Sequence, residues 1–96
     1  MIEVRQTEEF SGWLRRLKDG RAKARIAARI ERMALGNRGD AKSVGKGVME
    51  MRIAYGPGYR VYYVRRGAAI VILLCGGDKR TQRQDIKRAQ ALAERQ

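Results

Sequence analysis

Arg60, Lys79 and Arg80 are the residues of this chain whose types and spacing best suit chemistry on a phosphodiester. Arg60 stands inside the strand-like run Tyr59–Tyr63, and strand alternation puts it on the face of Tyr62 and Val64, opposite Tyr59, Val61 and Tyr63. A guanidinium there can grip a phosphate through its two-pronged fork. It can equally pair with Glu50 on the adjacent strand. Lys79 and Arg80 follow the apolar run Ala69–Cys75 and open a helix, where unpaired backbone N–H groups attract anions. Gly76 and Gly77 either let the backbone approach a ligand or only shape the turn. Asp78 reads as a capping or turn residue, or as a base.

Composition narrows the chemistry. The 96 residues contain no histidine and one cysteine, which removes a paired-histidine nuclease mechanism and a zinc site of the usual kind. Any proton transfer must use Lys, Arg, Tyr, Asp or Glu, or give way to positioning and charge. Lys and Arg number 22 against 10 Asp and Glu, a net charge of +12. A field of that sign draws polyanions. Cys75 ends a buried strand with no histidine to activate it, so it reads as inert packing. No secretory signal is recognisable and no apolar run is long enough to span a bilayer, so a cytoplasmic protein without a membrane role is expected.

The elements that must hold these residues follow from periodicity. Ile2–Gln6 alternates as a short strand. Thr7 is a natural N-cap, with Glu8 and Glu9 in the first turn. Phe10, Trp13, Leu14 and Leu17 form the apolar stripe of a helix that Gly20 is expected to stop. A second helix over residues 21–35 turns Ala22, Ile26, Ile30 and Met33 inward, and Gly36 closes it. Residues 37–47 read as a loop. Val48–Tyr55, Tyr59–Arg65 and Ala69–Cys75 read as strands joined by short turns, the last buried on both faces. A final helix over residues 81–95 carries Ile86, Ala89, Leu92 and Ala93. The order β-αα-βββ-α predicts a single α+β domain: a small antiparallel meander with a helical hairpin packed on it.

Other candidates stand on this frame. Eight basic residues lie between Arg15 and Arg32, either a solvated helix surface or a surface that tracks the phosphates of a folded RNA. Tyr55, Tyr59, Tyr62 and Tyr63 offer rings on which bases stack, although adjacent Tyr62 and Tyr63 face opposite ways and at least one belongs in the core. Trp13 fits the core stripe.

Glu50-Met51-Arg52-Ile53, Gly58-Tyr59-Arg60-Val61-Tyr62-Tyr63 and Gly77-Asp78-Lys79-Arg80-Thr81-Gln82, in this order and followed by Asp85-Ile86, resemble the RelE/ParE toxin superfamily. Gly36-Asn37-Arg38-Gly39-Asp40 with Lys42 and Gly45 is similar to its HigB-like "addiction module killer" branch. The resemblance implies the RelE-like fold and the toxin of a type II toxin–antitoxin system. Such a toxin is a ribosome-dependent, metal-independent endoribonuclease without cofactor, in which the messenger's own 2′-hydroxyl attacks the adjacent phosphate. Its implied partners are the ribosome with its mRNA and a cognate antitoxin of helix-turn-helix type.

By the same resemblance Arg60 contacts the scissile phosphate and Arg80, beside Lys79, stabilises developing charge. Glu50 or Lys46 is the candidate base, with Glu50 alternatively paired to Arg52. Lys42, Lys46, Arg52, Tyr62 and Arg83 are candidate RNA contacts. Two lysines of the RelE type are replaced by Val48 and Glu50, and a tyrosine of the last helix by Ile86. A ParE-like, non-enzymatic poison of DNA gyrase shares the fold and needs none of those residues. A plain RNA-binding module is the third reading.

Overall fold

A computed structural model describes residues 2–96. The order is β1 (Glu3–Gln6), α1 (Glu8–Arg16), α2 (Gly20–Ala34), β2 (Ala41–Ser43), β3 (Val48–Ile53), β4 (Tyr59–Arg66), β5 (Ile70–Gly77), a 3-10 turn (Lys79–Thr81) and α3 (Gln82–Glu94). The α+β architecture with a helical hairpin and a β3–β4–β5 meander is as expected, and it is compatible with a small RelE-like toxin fold.

The sheet is larger and less uniform than the meander alone. Its five strands run β1-β5-β4-β3-β2, and β1 lies parallel to β5. The parallel pair is possible because the hairpin and the other strands separate β1 from β5, giving the chain length to return in the same direction. β2 falls within residues 37–47, expected to be loop, and pairs antiparallel with β3 through Lys42↔Glu50. Three residues are too few for an alternation pattern to show in the sequence.

The helix boundaries follow side-chain caps. Thr7 Oγ1 accepts from Phe10 N at 3.0 Å and donates to the Leu74 carbonyl at 2.7 Å, tying the start of α1 to β5. Gly20 does not stop the first helix. α1 ends at Arg16, and Asp19 caps α2 by accepting from the backbone N–H of Arg21 and Ala22 at 2.9 and 3.2 Å. Gly36, at φ +100°, closes α2.

Each face of the sheet carries its own core. Phe10, Ile26 and Met33 of the hairpin meet Met51, Ile53, Val61, Tyr63, Val71 and Leu73 on one side. Ala89, Leu92 and Ala93 of α3 meet Val48, Tyr62, Val64, Ile72, Leu74 and Cys75 on the other. An irregularity in the β4–β5 ladder at Tyr62/Tyr63 lets Leu74 and Cys75, consecutive residues, both serve the α3 side. Burying a side chain such as Phe10 contributes about 2–3 kcal/mol.

α3 is held by polar ties as well. Arg88 grips Glu9 of α1 with both Glu9 oxygens accepting, Gln90 Nε2 donates to the Val44 carbonyl at 2.9 Å, and Arg66 Nη2 donates to the Ala93 carbonyl at 2.8 Å.

Candidate functional site

The end of the sheet where β3 finishes, β4 starts and β5 finishes gathers positive charge. Arg52 and Arg60 are register partners across the β3–β4 ladder. Directly opposed like charges normally destabilise a sheet, and each guanidinium has a nearby carboxylate. Asp40 accepts from Arg52 Nε and Nη2 at 3.2 and 3.3 Å. Glu50 Oε2 lies 3.8 Å from Arg60 Nε, an ion pair without a hydrogen bond. Arg60 is only 8% exposed, and its Nη1 donates to the Gly58 carbonyl at 2.7 Å. Its Nε has no partner among the described residues. Arg60 and Arg52 line an open cavity of about 280 Å³ together with Asp40, Gly58 and Tyr59.

Lys79 joins this cluster and Arg80 borders it. A Cβ at Gly58 would lie 3.2 Å from Arg60 Nη1 and 3.6 Å from Lys79 Cβ, so both side chains flank the same turn. Lys79 N also donates to the Pro57 carbonyl at 3.4 Å. Asp78 is a cap rather than a free base. It accepts from Arg80 N at 2.8 Å and from Arg80 Nη2 at 3.0 Å, and those bonds hold its carboxyl below the usual range. The Arg80 side chain nonetheless stays 81% exposed. It lines a second concavity, of about 220 Å³, with Arg83 and Lys87. Arg60 and Arg80 thus occupy neighbouring hollows rather than one, with Lys79 between them in the chain.

Glu50 sits behind the guanidinium of Arg60, and its buried position corrects the expectation of a general base. The residue is fully buried and cannot touch a substrate. Its Oε2 accepts from the Tyr62 hydroxyl at 3.0 Å and from Gln82 Nε2 at 2.9 Å. Lys42 Nζ approaches Oε1 from the surface at 4.0 Å, which places Lys42 beside this network. The expected Glu50–Arg52 pairing does not form; Arg52 takes Asp40 instead. Tyr62 is also fully buried, so its ring is closed to a nucleobase. Burial and the adjacent Glu50 charge push its phenol well above the ordinary value.

Two further expectations resolve against a ligand role. Lys46, at φ +56°, is exposed in the turn before β3, at the opposite end of that strand from Arg52, and does not join the cluster. Gly76 and Gly77 approach protein, not ligand. A Cβ at Gly76 would strike Trp13 at 2.3 Å, and one at Gly77 would strike Asp85 Oδ2. Tyr62 and Tyr63 both belong to the core, which meets the expectation of at least one, because both faces of the sheet are covered. Trp13 packs against the core as expected. Cys75 is buried, which pushes its thiol up to about 12 and leaves it unreactive. Among the described residues no cluster of acids and cysteine could hold a metal ion, and no helix is long and apolar enough to cross a membrane.

Residues 12–96 match the family model described as Phage derived protein Gp49-like (DUF891). The chain belongs to this Gp49-like family. The family is RelE-like and is associated with the toxins of toxin–antitoxin pairs. The chain is also similar to an uncharacterized protein of Haemophilus influenzae strain Rd, 54% identical over 93 residues that cover 97% of this chain and 94% of the relative.

In this Gp49-like chain, the site residue that sequence reasoning missed is Gln82. Its amide reaches across from the start of α3 to Glu50, a separation of 32 residues. The only local signal was its place beside the Lys79-Arg80 pair.

Proposed function

We propose that this Gp49-like protein is the toxin of a type II toxin–antitoxin pair and acts as a metal-independent endoribonuclease on mRNA in the ribosome, in the cytoplasm. The observation that carries the reading is Arg60: a nearly buried guanidinium with an unpaired Nε, opening on a cavity that Arg52 also lines. A buried cation that lacks a full set of acceptors is expensive unless an anion completes it. A phosphate suits both its charge and its fork.

The chemistry is an internal transfer. The 2′-oxygen of the message loses its proton and bonds to phosphorus, the P–O5′ bond breaks, and the leaving 5′-oxygen takes a proton, which leaves a cyclic phosphate. Charge gathers on the phosphoryl oxygens, and Arg60 and Arg80 oppose it from fixed positions. Each such donor is worth about 10²–10³ in rate. Lys79, exposed beside them, is the basic side chain there able to exchange a proton, because arginine stays charged. Glu50, Tyr62 and Gln82 act behind Arg60, as positioning residues. Arg83, Lys87 and Lys42 extend the basic surface along which the message lies. A cognate antitoxin of helix-turn-helix type neutralises the protein.

The test is induction in cells with mapping of messenger 5′ ends. Cuts in phase with codons are expected, and they vanish in Arg60→Ala and Arg80→Ala.

The burial of Glu50 favours a second reading, a non-enzymatic gyrase poison, since the site then needs no exposed carboxylate base. Intact messages with altered plasmid topology on induction would decide for that reading.

A further inference from the structure

A further cavity, of about 210 Å³, lies at the opposite end of the sheet from Arg60, on the side covered by the helical hairpin. Met33, Met49 and Val71 form apolar walls, and Arg38 and Arg65, both exposed, stand beside it. Tyr63 also lines it. That residue is 4% exposed, and its hydroxyl has no partner among the described residues. A buried hydroxyl left unpaired costs free energy that a ligand acceptor would recover. Burial pushes the Tyr63 phenol up, while the guanidiniums of Arg38 and Arg65 pull it back, so the hydroxyl stands in a positive field. Among the described residues no acidic side chain lines the cavity.

We propose that this cavity is an anchor pocket for a partner protein, taking one large apolar side chain whose flanking residues are acidic. The volume is below the roughly 300–1,000 Å³ of small-molecule sites and suits one buried side chain. The apolar walls take that side chain, the Tyr63 hydroxyl donates to an oxygen at its base, and Arg38 and Arg65 meet the flanking carboxylates. The chain's charge of +12 strengthens the match to an acidic segment. The proposal deepens the toxin reading, since the partner it describes is the antitoxin. It places that partner's anchor away from Arg60, where docking leaves the anion site itself uncovered.

A fluorescein-labelled peptide, acetyl-Ser-Glu-Asp-Leu-Glu-Asp-Ser-amide, tests it by anisotropy against the whole protein, alongside a twin with serine in place of the leucine. The leucine peptide is expected to bind about tenfold more tightly, the worth of one buried side chain. The Arg38→Gln/Arg65→Gln variant is expected to lose most binding. Tyr63→Phe, which removes the unpaired hydroxyl without lowering Tm, is expected to weaken binding about fivefold. Equal binding of the twins, binding of neither, or variants that bind as the parent does would each overturn the proposal. Induction without growth arrest would instead sink the toxin reading and leave the peptide result standing.

Discussion

Arg52 and Arg60 stand directly opposite each other on neighbouring strands, one paired with exposed Asp40 and the other set against buried Glu50. The arrangement makes the two arginines unequal. Arg52 has its carboxylate in solvent, where the pair contributes little. Arg60 is fixed from behind, with its buried Nε–H left without a partner among the described residues.

That inequality predicts different costs of removal. Arg60→Ala abolishes toxicity and also destabilises the fold by about 3 kcal/mol, because buried Glu50 loses its nearest cation. Arg80→Ala abolishes toxicity with stability changed by less than about 0.5 kcal/mol, since its side chain lies in solvent. Growth assays with urea denaturation of each purified variant check both halves. Full toxicity of either variant would contradict the site.

Tyr62, Glu50 and Gln82 form one network, so their effects are coupled. Tyr62→Phe and Gln82→Ala each remove a donor to Glu50 and are expected to cost about 1–3 kcal/mol. The double variant is expected to depart from the sum by more than about 0.5 kcal/mol. A double-mutant cycle in urea reads this directly, and strict additivity would mean that Glu50 is not the shared acceptor.

Gly76→Ala is expected to destabilise by about 1–3 kcal/mol, because the new methyl meets the Trp13 ring. Gly77→Ala meets the Asp85 carboxyl, and Asp85→Ala should recover part of that loss, whereas it should do nothing for Gly76→Ala. Thermal melts of the four variants give the comparison.

Acid should weaken the tie between α1 and α3. The Arg88 hydrogen bond and charge hold the Glu9 carboxyl below its ordinary value, although partial burial opposes them. A carboxylate whose folded pKa is depressed contributes its full stability above the unfolded pKa and loses it as pH falls through the folded one. Stability should therefore drop as pH falls below about 4.5, and less steeply in Arg88→Ala. The pair is more than a third exposed, so salt should shrink the difference. Equal acid slopes in the two proteins would refute the linkage.

Much of the frame was legible because it is written in local patterns. Thr7 announces α1, the alternation Met49-Met51-Ile53 announces a strand face, and the apolar run to Cys75 announces a strand covered on both sides. β2 was not legible, because three residues carry no period and its pairing is set by β3. The parallel partner of β1 was hidden for a related reason: pairing across some 67 residues leaves no local mark. Arg60, Lys79 and Arg80 were legible as residue types at a strand and its exit. The fate of Glu50 was not, since a glutamate alternating with apolar residues looks the same whether water or α3 covers it.

The pairing of β1 with β5 also orders events during synthesis. The first strand has no neighbour to join until the residues of β5 exist, and Lys79, Arg80 and Gln82 are made later still. A chain translated only as far as β4 therefore has neither a closed sheet nor the residues that complete the proposed anion site, and both arrive together with β5 and the turn that follows it.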